Sequence, residues 1–118
     1  MDKTRQTALK AAYRQQAPAL GIIALRHLPS GCALLERSRN APGALNRHRF
    51  ELALGTHRNT RLQADWRRDG AAAFRFDIID IIDSVKASGD PAFDAEAELD
   101  ALLALHRAQW LEQGQPLY

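Results

Sequence analysis

Two apolar runs separated by a Pro-Ser-Gly turn, GIIALRH from Gly21 to His27 and CALLERS from Cys32 to Ser38, read as a β-hairpin over residues 21–37. One further stretch, AFRFDIIDIID, alternates like a strand, with Phe74, Phe76 and Ile78 on one face and Arg75 and Asp77 on the other. A hairpin by itself is marginal in water and needs a third strand and a covering layer. The remaining periodic stretches are all helical in spacing. The expectation is an α+β fold, a small three-stranded antiparallel sheet flanked by helices, with residues 1–118 forming one domain.

The helices are read from caps and stripes. Residues 3–16 are rich in good helix formers and end before Pro18. Arg39 to Gly43 reads as a loop, followed by a helix from Ala44 to Leu54 that Gly55 stops. At 100° per residue Ala44, Leu45, His48 and Leu52 share its inward stripe. Asn59 caps a second helix, Thr60 to Arg68, with Leu62 and Trp66 as an apolar pair, Arg67 and Arg68 in the last turn and Gly70 beyond. SVKASGDP, from Ser84, reads as a loop. The last helix starts acidic and carries a stripe of Leu99, Leu102, Leu103, His106 and Trp110. Leu103 and Trp110 are expected to pack against the strand that bears Phe74 and Phe76.

Composition enters through charge. Residues 1–75 hold 14 Lys/Arg against 5 Asp/Glu, and residues 76–118 hold 2 against 9, so a net +2 conceals halves of +9 and −7. Such segregation points to a surface that attracts an anion, nucleic acid first, unless the halves neutralise each other across the fold. Cys32 is the only cysteine, which excludes an internal disulfide and a cysteine-rich zinc module. No apolar run approaches a membrane span, and the charged start MDKTRQTALK is unlike a secretion signal, so a cytoplasmic location without membrane contact is expected.

Chemistry concentrates between Leu45 and Trp66. His48 and His57 straddle a helix end, and no thiolate or acidic triad is spaced to complete a metal shell with them, so no metal is expected. Arg47 and Arg49 lie about 160° apart on the helix and cannot serve one phosphate track. Arg47 has Glu51, and Arg61 has Asp65, at i,i+4. That pairing would leave Arg49, Arg58, Arg67 and Arg68 free for an anion. Nucleotide-binding glycine loops, serine elbows and Cys-His nucleophile patterns are missing from the sequence.

The spacing of His48, Gly55, His57, Asn59, Leu62–Gln63, Trp66, Gly70 and Phe74–Phe76 resembles the middle of a GIY-YIG nuclease domain. The resemblance runs from about Gly21 to the QPLY terminus and implies the same three-stranded sheet with surrounding helices. It also implies a chemistry, phosphodiester hydrolysis by two motif tyrosines, an arginine, the helix histidine and a metal-binding glutamate. At the corresponding positions this chain has Ile23 in GII, Leu34 in LLE (with Glu36 for the motif glycine), Ala44 and Arg107. Isoleucine and leucine carry no proton, alanine holds no phosphate, and an arginine repels Mg²⁺.

The resemblance therefore implies a catalytically inactive member that binds nucleic acid, DNA rather than RNA, through Arg49, Arg58, Arg67 and Arg68, with His48 and His57 lining the former cleft and no cofactor. Two alternatives remain open. One is a protein-interaction or regulatory module whose partner docks on the vacated cleft at Ile23, Leu34 and Ala44. The other is a rewired metal-dependent endonuclease using Glu36 or Glu51 with His48, the one case that calls for Mg²⁺.

Overall fold

The computed structural model describes residues 19–82 and 92–118; the helix expected at 3–16 and the loop expected from Ser84 to Pro91 lie outside them. The chain enters β1 (Gly21–His27), turns into β2 (Ala33–Ser38), and crosses α1 (Ala41–Leu54) and α2 (Thr60–Asp69). A short 3₁₀ turn then leads into β3 (Phe74–Ile81), and α3 (Ala95–Glu112) follows. The sheet is antiparallel throughout, in the order β2-β1-β3. The fold is α+β, as the hairpin and the single further strand require.

The central strand is the most apolar because both its edges and both its faces are covered. Ile22, Ile23, Ala24 and Leu25 are completely buried. Gly21 is needed where β1 meets β3: a Cβ there would lie 2.2 Å from the Asp80 carbonyl oxygen. A bulge follows at once, since Ile22 pairs with Asp80 but Ile23 pairs with Ile78, leaving Ile79 extra. In the hairpin turn Gly31 adopts φ +74° and donates its N–H to the His27 carbonyl at 2.8 Å.

α1 begins earlier than its apolar stripe. Asn40 accepts the Gly43 N–H on its side-chain oxygen at 3.2 Å, and the helix starts at Ala41 with Pro42 in its first turn. Proline costs nothing there, because its missing N–H has no partner within the helix. Arg39 to Gly43 is therefore a cap and a first turn rather than a loop. Gly55 ends α1 in the left-handed conformation, and Asn59 caps α2 through Leu62 N–H, both as the sequence indicates.

The sheet has two different faces. Ile23, Leu25 and Phe74 pack with Ala41, Ala44, Leu45 and Leu52 of α1 and Leu62 of α2, with Leu34, Trp66, Phe76 and Ile78 at the margin. Ala24, Ala33 and Leu35 face the other way and meet Ile79, Leu103, Trp110 and Leu117. Leu103 and Trp110, expected against the strand of Phe74 and Phe76, share a cluster with Ile79 of that strand, on the face opposite the two phenylalanines and chiefly against β1 and β2. Alternation fixes which residues of a strand share a face but not which helix covers it. Of the α3 stripe only Leu99 is fully buried; Leu102, Leu103, His106 and Trp110 are half-buried. After α3 the chain returns to the outer edge of β2, where Tyr118 N–H donates to the Ala33 carbonyl at 2.8 Å.

Candidate nucleic-acid interface

The site is assembled from three local features. Leu34 and Glu36 alternate onto the α1 side of β2, and Glu36 lies across from Ile23 of β1. His48 belongs to the inward stripe of α1 and is only 1% exposed. His57 follows the Gly55 cap and is buried, its loop held by Gln63, which accepts the His57 N–H at 3.0 Å and donates to the Leu52 carbonyl at 3.1 Å. Buried Gln63 is a structural residue that apolar spacing does not single out.

A directed chain of hydrogen bonds runs outward from this loop. The Asn59 N–H donates to His57 Nδ1 at 3.0 Å. The neutral ring then carries its proton on Nε2 and donates to His48 Nδ1 at 2.8 Å. His48 in turn donates from Nε2 to Glu36 Oε2 at 2.7 Å. The same oxygen accepts from Arg47 at 3.2 Å, and the Arg58 guanidinium lies 4.0 Å from Oε1. The hydrogen bond from His48 holds the Glu36 carboxyl below its usual range; burial opposes this, and the charges of Arg47 and Arg58 assist. Burial, and then the neighbouring His48, pushes the His57 pKa down.

His48, His57 and Glu51 place three ligand atoms within 4.8 Å of one another. Their use by a metal meets a specific obstacle. All four imidazole nitrogens of His48 and His57 already have a hydrogen-bond partner in His57–His48, His48–Glu36 or Asn59–His57. A cation bound by either ring would have to displace at least one of these bonds.

The positions singled out by sequence separate into groups. Ile23 and Ala44 are buried core residues and Leu34 lies half-buried beside them, so they underpin α1 and leave no open apolar floor for a partner. Arg107 is exposed on α3, which packs on the opposite face of the sheet, and is not brought to His48. His48 and His57, expected to line the former cleft, do meet, and both rings are buried. The expected i,i+4 pairs are replaced by tertiary ones: Arg47 takes Glu36 instead of Glu51, and Arg61 lies 5.7 Å over the Tyr118 ring. Asp65 is thereby left to Arg68 at 2.9 Å and to the Tyr118 hydroxyl. Arg68 also holds Asp69 at 2.9 Å and is not a free cation. Arg49 stands 4.7 Å over the Phe76 ring, and Arg67 donates to the Gly55 carbonyl at 3.1 Å. Arg58 is 83% exposed.

Part of the charge segregation is used up inside the fold. Arg37 of β2 and Arg39 just beyond it both pair with Glu96 of α3, and Arg37 reaches Asp100 at 2.8 Å. A second polar knot, which spacing did not signal, ties the hairpin turn to α2. Buried His27 bonds Ser30 Oγ through Nδ1 at 2.7 Å and Asp69 through Nε2 at 2.6 Å. The bonds from Arg68 and then His27 lower the Asp69 pKa to about 2. Burial, with the bond to Asp65, raises that of Tyr118.

No protein-family model, curated protein or solved structure matches the chain. Among the described residues no helix is long and apolar enough to cross a membrane.

Proposed function

We propose that the chain is a GIY-YIG-like domain without a nuclease centre, which binds nucleic acid, DNA in preference to RNA, through Arg47 and Arg58. The observation that carries this reading is the gathering of two exposed guanidinium groups on one carboxylate, Glu36, anchored from beneath by His48 and His57. The resemblance places the family's reacting phosphate at this same junction of β1, β2 and α1. Two cations on one anion leave a surplus positive charge, and a phosphate can share both guanidinium groups. Glu36 then acts as the spacer that holds the arginines ready, and the buried histidines hold Glu36. Arg49 and Arg67 have part of each side chain already engaged, over the Phe76 ring and on the Gly55 carbonyl.

The same reading has no cofactor. The hydrogen bonds that both imidazoles already make compete with a cation there, and the residues at the family's catalytic positions, Ile23, Leu34, Ala44 and Arg107, supply neither proton transfer nor a metal carboxylate. A cytoplasmic setting belongs with it, in keeping with the single, reduced and buried Cys32.

Fluorescence anisotropy with a labelled DNA duplex, titrated at about 50 mM salt, tests the proposal. Each phosphate contact should contribute a slope of about −0.9 in log K against log salt. Arg58→Glu should weaken binding and reduce that slope by about one, while the thermal melt stays unchanged. Saturable binding that is indifferent to both Arg47→Glu and Arg58→Glu, or no binding at low salt, would refute it.

A further inference from the structure

We infer that the preferred nucleic acid is single-stranded, with one base stacked on Phe50 while its neighbouring phosphates engage Arg47 and Arg58. This rests on the reading above and names the ligand class of that same surface.

Phe50 is 65% exposed and Leu54 60%, the two most exposed large apolar side chains of the described residues. They are four residues apart on α1 and so share one face, and Arg47 lies three residues before Phe50 on that face. Phe50 thus lies one helical turn from Arg47, whose guanidinium shares Glu36 with Arg58. Isolated exposed apolar residues are ordinary, but here an aromatic ring and a leucine extend a doubly cationic spot. Glu51, the acid nearest in sequence, leans toward the His48 and His57 ring nitrogens. Arg49, some 200° around the helix from Arg47, is over Phe76 and does not belong to this face.

An apolar ring next to two cations is complementary to a ligand that is flat and apolar on one side and anionic on the other. A nucleotide has both parts. In a duplex the base faces are buried in the stack and only phosphates are presented, so Phe50 would gain nothing. In a single strand a base is free to stack, and the ring's π-face accepts any base. The inference therefore predicts a preference by strandedness without a preference by sequence.

The test uses a labelled oligothymidine and a labelled DNA hairpin duplex of equal phosphate count, titrated at low salt. The wild type should bind the single strand more tightly. Phe50→Ala should weaken oligothymidine binding by roughly 5- to 150-fold, the range of one base–aromatic stack, and leave duplex binding unchanged. Phe50→Trp should restore it. Because Phe50 is exposed, both variants should keep the wild-type thermal melt, which checks that the fold is intact. If Phe50→Ala binds oligothymidine like the wild type while Arg58→Glu weakens both probes, the single-strand inference is overturned and the phosphate reading stands. If neither probe binds, both fail. A wild type that elutes as a dimer on gel filtration and becomes monomeric in Phe50→Ala would also overturn the inference, since a second copy would then cover the ring.

Discussion

Truncating His48 to alanine is the sharpest test of the buried chain. The imidazole joins two partners: it accepts from His57 Nε2 at 2.8 Å and donates to Glu36 Oε2 at 2.7 Å. Its removal leaves a buried N–H on His57 without an acceptor, a loss of about 1–3 kcal/mol. It also removes a hydrogen bond to a charged carboxylate, about 1.5–3 kcal/mol, although Glu36 keeps Arg47 and part of its contact with water. The two terms overlap if water enters the gap, so the net loss should be about 3 kcal/mol, read as a lower urea midpoint at unchanged m-value. His57→Ala should cost less, because His48 then keeps its donor bond to Glu36. The double variant should fall well short of the sum, by about 1 kcal/mol or more, since the orphaned His57 N–H no longer exists. Strict additivity, or a loss below about 1 kcal/mol for His48→Ala, would mean that the two rings are not linked as described.

Leu103→Ala should cost only about 1–2 kcal/mol, because the side chain is half-buried, whereas Leu52→Ala, 1% exposed between α1 and the sheet, should cost about 2–5 kcal/mol; denaturant midpoints rank the two. The pH dependence has a definite sign. Glu36 and His57 both have pKa values lower in the fold than the ordinary 4.5 and 6.5, so the unfolded chain binds more protons and stability falls with acidification, from His57 below about pH 6.5 and from Glu36 below about pH 4.5. Urea unfolding at a series of pH values should show the upper limb disappear in His57→Ala. Incubation of single- and double-stranded DNA with Mg²⁺ or Mn²⁺ should give no cleavage; metal-dependent cleavage that vanishes in Glu36→Gln would instead support a rewired endonuclease.

Glycines, caps and alternation were readable along the chain because they act over a few residues. Asn59 and Gly55 behave as their local chemistry requires, and His48 lies inward because helical periodicity places it there. Asn40 was readable in principle, as an asparagine two residues before a proline, but the apolar stripe begins later and drew the boundary to Ala44. The ion pairs show the opposite case. An i,i+4 partner adds only about 0.2–0.5 kcal/mol, so any tertiary carboxylate within reach outcompetes it. Glu36 does so for Arg47, eleven residues away in sequence.

The sequence by itself determined the α+β class, the hairpin, the third strand and the inward side of α1, since each follows from residue type and short-range period. Tertiary structure alone decided that α3 covers the sheet face opposite Phe74 and that Arg68 is committed to Asp65 and Asp69. It also decided that His57, His48 and Glu36 form one chain beneath Arg47 and Arg58. The physical reason is distance along the backbone. Periodicity orients a side chain relative to its own helix or strand, but a hydrogen bond between β2, α1 and the following loop exists only after the hairpin and helix have packed, and packing is a property of the whole chain.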